Sequence, residues 1–124
     1  MLRIIPKIEI KNNYLVKGIH LEGLRVIGEA QDFSKYYFNE YADELIINDV
    51  VASLYGRNNL SNYINEISKE VFIHITVGGG IRNLLDIENL LKNGADKIAI
   101  NTAAIKDPNF IDLAVNEYGS STIT

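Results

Sequence analysis

Three consecutive glycines, Gly78 to Gly80, directly follow an apolar run and precede a helical pattern. Because glycine has no Cβ atom, its backbone can approach a ligand closely and point N–H groups at an anion. The alternative is a tight turn between a strand and a helix that binds nothing. The segment lacks the Gly-Lys-Ser/Thr of a P-loop and the G-x-G-x-x-G of a dinucleotide site. We expect Gly79 and Gly80 to contact a phosphate group.

Polar residues also end the other apolar runs of the chain. Asn101 and Thr102 offer amide and hydroxyl groups for hydrogen bonding, although a turn or capping role explains them equally well. Asp49 ends a second run. Glu9 ends the first run. It is either a solvated residue at the rim or a general acid or base in a pocket, and when Glu9 is considered by itself the rim position is favoured. Since ligands bind at the C-terminal ends of parallel strands, these residues mark the candidate site.

Three charged residues lie at the opposite ends of the same runs. Alternate residues of a strand share a face, which places Arg3 with Glu9 and Lys97 with Asn101. Glu44 faces the same interior. Because an unpaired buried charge is costly, we expect these three residues to pair with one another. Such a cluster is either a structural ion-pair plug or a gate on a passage through a barrel.

Short apolar runs alternate with helical patterns along the chain and must position these residues. Asn83 and Asp107 are predicted N-caps, and Gly94 is a predicted helix stop. The order βαβαβαβα predicts an α/β protein with a parallel sheet. A further strand begins near residue 120 and is cut off, so we expect a truncated sequence. The strands are predicted at 3–10, 44–50, 71–77 and 97–101, and the helices at 32–41, 60–67, 84–91 and 108–118.

Composition narrows the class of protein. The chain has 124 residues, of which 47% are hydrophobic and 23% charged, which is typical of a single globular domain. Its net charge of −4 argues against nucleic-acid binding, and no apolar run approaches the ~18 residues of a membrane span. Without cysteine there is no disulfide, and a reducing cytoplasm fits that composition. We expect neither a metal site nor a cofactor.

Six segments occur in a characteristic order: Arg3–Pro6, Leu15–Gly18, Ala42–Leu45, Thr76–Arg82, Gly94–Lys97 and Ile100–Ala104. Together they closely resemble the cyclase subunit of imidazole glycerol phosphate synthase, a family of histidine biosynthesis. The resemblance extends from Met1 to the Tyr118-Gly119-Ser120 segment. Glycine-rich turns occur in many phosphate-binding barrels, so the specificity lies in the ordered set.

The resemblance implies a (β/α)₈ TIM barrel, a fold of about 250 residues. Residues 1–124 are then the N-terminal half of one barrel domain, with the first four βα units and the start of the fifth strand. It implies a glutaminase subunit at the barrel bottom that delivers ammonia to a bis-phosphorylated ribulosyl aminoimidazole carboxamide ribonucleotide. Cyclisation and C–N cleavage give imidazole glycerol phosphate and aminoimidazole carboxamide ribotide. We expect this piece alone to be inactive.

The resemblance also assigns roles to residues. Glu9 matches one of two carboxylates that act as acid and base, and the other lies beyond Thr124. Lys17 matches a residue of a substrate-covering loop, and Asp49 an acidic position near the active site. A substrate phosphate is held by Gly80, Asn101 and Thr102. The ammonia gate includes Arg3, Glu44 and Lys97.

The chain departs from the family at its first strand. Glu9 stands where the family has aspartate, so its carboxylate is one methylene farther from the backbone. Lys7 lies on the same face of the strand, and pairing with Lys7 makes the Glu9 carboxyl group a poorer proton donor. These changes favour an alternative to the cyclase, a related ammonia-channelling barrel that amidates surface sugars. A further alternative is a non-catalytic half-barrel that binds phosphate or assembles as a dimer, because four βα units alone expose the inner face of an open sheet.

Overall fold

The computed structural model describes residues 2–11, 14–19, 23–50 and 60–124. Its strands are β1 (Lys7–Lys11), β2 (Tyr14–Ile19), β3 (Gly23–Glu29), β4 (Glu44–Asp49), β5 (His74–Gly78) and β6 (Lys97–Ala99). Its helices are α1 (Ala30–Asn39), α2 (Leu60–Ser68), α3 (Leu84–Lys92), α4 (Thr102–Lys106) and α5 (Asn109–Tyr118). The strands form one sheet in the order β3-β2-β1-β4-β5-β6. In this described part of the chain, no helix is long and apolar enough to span a bilayer.

Four strands of the sheet, β1, β4, β5 and β6, run parallel to one another, which confirms the predicted fold class. The strand predicted to begin near residue 120 starts later, because residues 120–122 form a turn and its only pairing with β6 among the described residues is a single parallel bridge from Ile123 to Ile98. The Thr124 N–H donates to the Ile98 carbonyl at 2.9 Å. The parallel part of the sheet consists of βα units, as in half of a TIM barrel.

The connection between β1 and α1 differs from the prediction. The alternating βαβαβαβα order allows no strand there, but the structure has the antiparallel pair β2 and β3. Both segments are rich in β-branched, aromatic and leucine residues, which favour extended backbone. A sequence pattern of long apolar runs detects the buried parallel strands and misses such a hairpin at the sheet edge.

The first strand is shorter than predicted at its N-terminal end. Pro6 has no N–H to donate, and its carbonyl accepts from the Ile46 N–H at 2.9 Å. The Ile4 N–H donates to a carboxylate oxygen of Asp43 at 2.7 Å instead of to a neighbouring strand. Residues 4–6 therefore run beside β4 without forming a regular ladder.

The two faces of the sheet have different surroundings. In β1, Ile8 and Ile10 are buried under the helices, whereas Lys7 and Glu9 point to the opposite face and are exposed. The helical side holds the apolar core, which includes residues of β1, β4, β5, β6 and all helices except α4. The other face corresponds to a barrel interior and is open in this chain.

Two of the predicted helix termini are confirmed. The Asn83 side chain accepts the Asp86 N–H at 2.9 Å and caps α3. Gly94, just after α3, has a φ of 116°. Helix α5 begins one residue later than predicted, at Asn109, whose N–H donates to the Asp107 carboxylate at 3.1 Å.

The same local structure precedes β4 and β6. A residue with positive φ (Tyr41 at 65°, Gly94 at 116°) is followed by a buried alanine and then an aspartate. Each aspartate carboxylate accepts a backbone N–H from the segment alongside: Asp43 from Ile4 at 2.7 Å and Asp96 from Ile75 at 2.9 Å. Each aspartate N–H donates back to the carbonyl of the same residue. This reciprocal pair sets the register at the N-terminal edge of the sheet.

Replacing Tyr41 by glycine is expected to stabilise the chain by about 0.5–1 kcal/mol, because a left-handed backbone is strained for every residue with a Cβ atom. The Tyr41 side chain is 91% exposed, so little packing is lost. Urea unfolding of the 124-residue chain measures the change. Tyr41→Ala removes the ring but keeps the Cβ atom, and an equal gain in that control would contradict backbone strain as the cause.

Candidate functional site

A cavity of about 560 Å³ opens at the C-terminal ends of β4, β5 and β6. Its size lies within the range of small-molecule sites. We call it the C-terminal cavity. Five residues that the sequence singled out line it: Asp49, Gly79, Gly80, Asn101 and Thr102. The structure thus gathers residues from three strand ends into one concave surface.

The glycine turn after β5 forms one wall of this cavity. Gly79 has a φ of 99° and Gly80 a φ of 69°, both in the left-handed region. A Cβ atom on Gly79 would lie 2.2 Å from the Asp49 carbonyl oxygen, so no side chain fits there. Close packing against the end of β4 is by itself a sufficient reason for glycine at this position. Contact of Gly79 and Gly80 with phosphate stays a prediction.

The start of α4 forms the opposite wall. Asn101 precedes the helix, its carbonyl accepts the Ile105 N–H at 3.1 Å, and its side chain makes no capping hydrogen bond. Thr102 is exposed at the first helical position. The sequence left open whether Asn101 has only a turn or capping role. In the structure its backbone carbonyl accepts a hydrogen bond from the helix, and its side chain does not cap the helix. Its carboxamide is left available to a ligand.

Asp49 is the last residue of β4 and is nearly buried, with 8% of its surface exposed. Its backbone packs against Gly79, so the ends of β4 and β5 are in direct contact. The next residue, Val50, donates its N–H to the Ile10 carbonyl at 3.0 Å and ties β4 to β1. Asp49 thus lines the cavity from a fixed backbone.

Glu9 lies beside the C-terminal cavity and does not line it. It is on the open face of β1, and its side chain is 47% exposed. Lys7 pairs with it on that face, with 3.7 Å between Nζ and Oε1, as the sequence predicted. In the parallel register, Glu9 is the direct partner of Asn48, which does line the cavity. Asn48 therefore connects Glu9 to the candidate phosphate site.

Lys17 is not part of an irregular covering loop. It lies on β2, where it pairs in register with Arg25 of β3, and only its backbone is described. β2 is on the opposite side of β1 from β4. The predicted contact of Lys17 with substrate remains untested.

Two of the three predicted gate charges are paired at the N-terminal end of the sheet. The Arg3 guanidinium donates to the Glu44 carboxylate, which has 11% of its side chain exposed. Lys97 is half-buried on β6 and forms no ion pair with another described residue. The expected charge pairing is therefore confirmed for Arg3 with Glu44 and is absent for Lys97 within the described ranges.

Four polar or charged residues that the sequence reasoning did not assign to the site also line the cavity: Asn48, Arg82, Lys106 and Asp107. Arg82 is paired with Asp86, its Nε lying 3.8 Å from the carboxylate. Lys106 follows Thr102 by four residues and shares its helix face. Asn48 was detectable, because strand alternation puts it on the same face as Glu44. Among the described residues, no group of three or more potential ligands could hold a metal ion.

Comparison with known proteins identifies what this arrangement is similar to. A family model described as "Histidine biosynthesis protein" matches residues 3–124. A protein of Legionella pneumophila named imidazole glycerol phosphate synthase subunit HisF is 52% identical over 122 residues, which are 98% of this chain and 58% of that protein. Proteins of the same name from Dictyoglomus thermophilum and an Exiguobacterium species are 40% and 44% identical, each over 98% of this chain and 48% of the relative. The chain spans about half the length of the curated relatives it matches.

Proposed function

The chain belongs to the histidine biosynthesis protein family, and from this premise we propose that it is the phosphate-binding half of an ammonia-dependent cyclase. The substrate is a bis-phosphorylated ribulosyl aminoimidazole carboxamide ribonucleotide. The products are imidazole glycerol phosphate and aminoimidazole carboxamide ribotide, formed in the cytoplasm. The observation that carries the proposal is the C-terminal cavity, which brings Gly80, Asn101 and Thr102 together.

One phosphate of the substrate binds in this cavity. The backbone N–H groups near Gly80, the Asn101 carboxamide and the Thr102 hydroxyl are all hydrogen-bond donors, as a phosphate dianion requires. Lys106 adds a positive charge from the same side as Thr102. Arg82 contributes less, because Asp86 already neutralises it.

Glu9 is the acid–base group that this half supplies. Its position on β1 places the carboxylate one strand away from the cavity, so a substrate anchored by its phosphate extends over Asn48 towards it. A second carboxylate, from a fifth strand, takes the other proton-transfer role. Two carboxylates on opposite sides of the reacting centre allow one to accept a proton while the other donates one.

The opposite end of the sheet receives ammonia from a glutaminase subunit. Five large apolar side chains just before β1, β4 and β5 are exposed there, with Phe72 at 75% and Tyr41 at 91%. The other three are Leu2, Ile4 and Ile5. Exposed apolar groups that lie together indicate an interaction surface. The Arg3–Glu44 pair stands at the start of the interior face and forms, with Lys97, the gate for ammonia.

A second candidate function is amidation of a surface sugar by a related ammonia-channelling barrel. The observation that favours it is the Lys7–Glu9 pair on the interior face. The Lys7 ammonium group neutralises part of the negative charge of the Glu9 carboxylate, which acid–base catalysis uses. It also adds a hydrogen-bond donor to which a different substrate can bind. The phosphate site and the gate serve both candidates equally.

A third candidate is a non-catalytic half-barrel. The open face of the sheet exposes Ile5 and leaves Ile46 only partly covered, so an isolated half has apolar surface that a second copy could bury. Phosphate binding requires only the C-terminal cavity and does not require the second carboxylate. This candidate therefore predicts ligand binding without turnover.

Ammonium-dependent turnover distinguishes the three candidates. The full product of the coding sequence is expected to cyclise the ribonucleotide substrate with ammonium ions, whereas the 124-residue chain alone is expected to give no turnover, because it supplies one carboxylate. Product formation is followed by absorbance and mass spectrometry. Amidation of a sugar substrate without cyclisation would replace the proposal with the second candidate. Failure with both substrates, together with a stable dimer, would replace it with the third.

A further inference from the structure

Asn48 occupies a special position on the interior face of the sheet. It lies on β4, it lines the C-terminal cavity, and its register partner on β1 is Glu9. Neighbouring strands are about 4.8 Å apart, so the two side chains emerge next to each other on the same face. Asn48 is thus the cavity residue directly beside the candidate acid–base group.

The orientation of the Asn48 side chain follows from its contact with β5. A Cβ atom placed on Gly78 would lie 3.1 Å from the Asn48 Oδ1 atom, so the carboxamide lies over this glycine. Gly78 leaves room for it, because any larger residue would push the amide aside. The space above Gly78 is therefore filled by a polar group that belongs to the cavity wall.

The Asn48 carboxamide makes no side-chain hydrogen bond to the described residues. An amide group has two N–H donors and an acceptor oxygen, and a half-buried one that lacks protein partners is available to bind a ligand or water. Nearby apolar residues such as Ile46 offer it no alternative partner. The structural role of Asn48 in the fold is therefore small, and its polarity needs another reason.

We propose, on the basis of the phosphate site described above, that Asn48 is a specificity-determining residue that binds a hydroxyl group of the ligand's sugar moiety. A hydroxyl between Asn48 and Glu9 accepts from the amide N–H and donates to the carboxylate, which gives each side chain a hydrogen-bond partner. A sugar phosphate fits this arrangement, with its phosphate near Gly80 and Thr102 and its hydroxyls towards β1. An aliphatic phosphate without hydroxyls leaves the amide unpaired.

The experiment compares two probes, inorganic phosphate and ribose 5-phosphate, titrated into the 124-residue chain by calorimetry or NMR. Asn48→Leu keeps the branched shape and the number of side-chain heavy atoms and removes the hydrogen bonds. We expect it to weaken ribose 5-phosphate binding roughly threefold to tenfold while leaving inorganic phosphate unchanged. Asn116→Leu, at an exposed position of α5 outside the cavity, is the matched control and leaves both affinities unchanged. Asn48→Ala repeats the test with a smaller side chain, and unfolding curves verify that each variant is folded.

Three results would overturn the proposal. Equal affinity of the wild type and Asn48→Leu for ribose 5-phosphate, with phosphate still bound, removes the role of Asn48 and leaves the phosphate site intact. Equal losses for both probes show general damage to the cavity. Absence of binding of either probe to the wild-type chain removes the phosphate site itself, and with it the basis of the proposed function.

Discussion

Replacement of Glu9 by glutamine is expected to lower kcat for ammonium-dependent cyclisation by about 10²–10⁴-fold, the usual contribution of a general acid or base. Glutamine keeps the shape of the side chain and loses the ability to accept or donate the proton. Because Glu9 lies outside the cavity that anchors the phosphate, KM for the substrate is expected to change by no more than about threefold. Steady-state kinetics of the full-length protein with saturating ammonium ions provides the measurement.

Two further variants make the result specific to Glu9. Glu66→Gln changes an exposed carboxylate of α2 that pairs with Lys69 on the helical side, and it should leave kcat unaltered. Glu9→Asp keeps the carboxylate with one methylene fewer and should retain far more turnover than Glu9→Gln. A wild-type kcat in Glu9→Gln would mean that Glu9 is a solvated rim residue.

Replacement of Gly79 by alanine is expected to lower the free energy of unfolding by on the order of 4 kcal/mol, the sum of backbone strain and a steric clash. Its φ of 99° is unfavourable for any residue with a side chain. In addition, the new Cβ atom would lie 2.2 Å from the Asp49 carbonyl oxygen and 2.8 Å from its nitrogen. Both atoms are backbone, so no side-chain rotation relieves the overlap, and the ends of β4 and β5 must separate.

Gly119→Ala is the control that separates strain from clash. Gly119 has a φ of 89°, and a Cβ atom there would have no neighbour within 4 Å. Its replacement is expected to cost roughly half as much, because only the backbone term applies. Urea unfolding of both variants gives the comparison. Equal losses of unfolding free energy in the two variants would show that a small backbone shift relieves the contact between Gly79 and Asp49. Close packing would then not explain the glycine at position 79, and ligand binding would be the remaining reason for it.

Much of the fold was predictable from local patterns. The apolar runs at 44–50 and 71–77 are close to β4 and β5 because buried parallel strands require continuous apolar sequence. The cap of α3 was also predictable, since the Asn83 side chain accepts an N–H three positions away, whereas α5 begins one residue later than its predicted cap at Asp107 implies. The candidate site was found as a set of strand ends because the C-terminal ends of parallel strands always meet at one edge.

Other features required the tertiary structure. The hairpin β2–β3 is an edge feature whose strands are stabilised by pairing with each other and with β1, and that pairing has no sequence period of its own. The sequence assigned Gly79 to ligand contact, but the structure reveals a backbone that approaches from β4, 30 residues away.

The sequence by itself determined the parallel α/β class, the order of the elements that build the cavity, and the face on which the charged residues lie. These follow from periodicity, capping and strand alternation, which are local. Only the tertiary structure decided which of those residues meet. It paired Glu44 with Arg3 and not with Lys97, and it placed Asn48, which lines the C-terminal cavity, directly beside Glu9. Those choices depend on strand register, which is set by contacts between segments far apart in the chain.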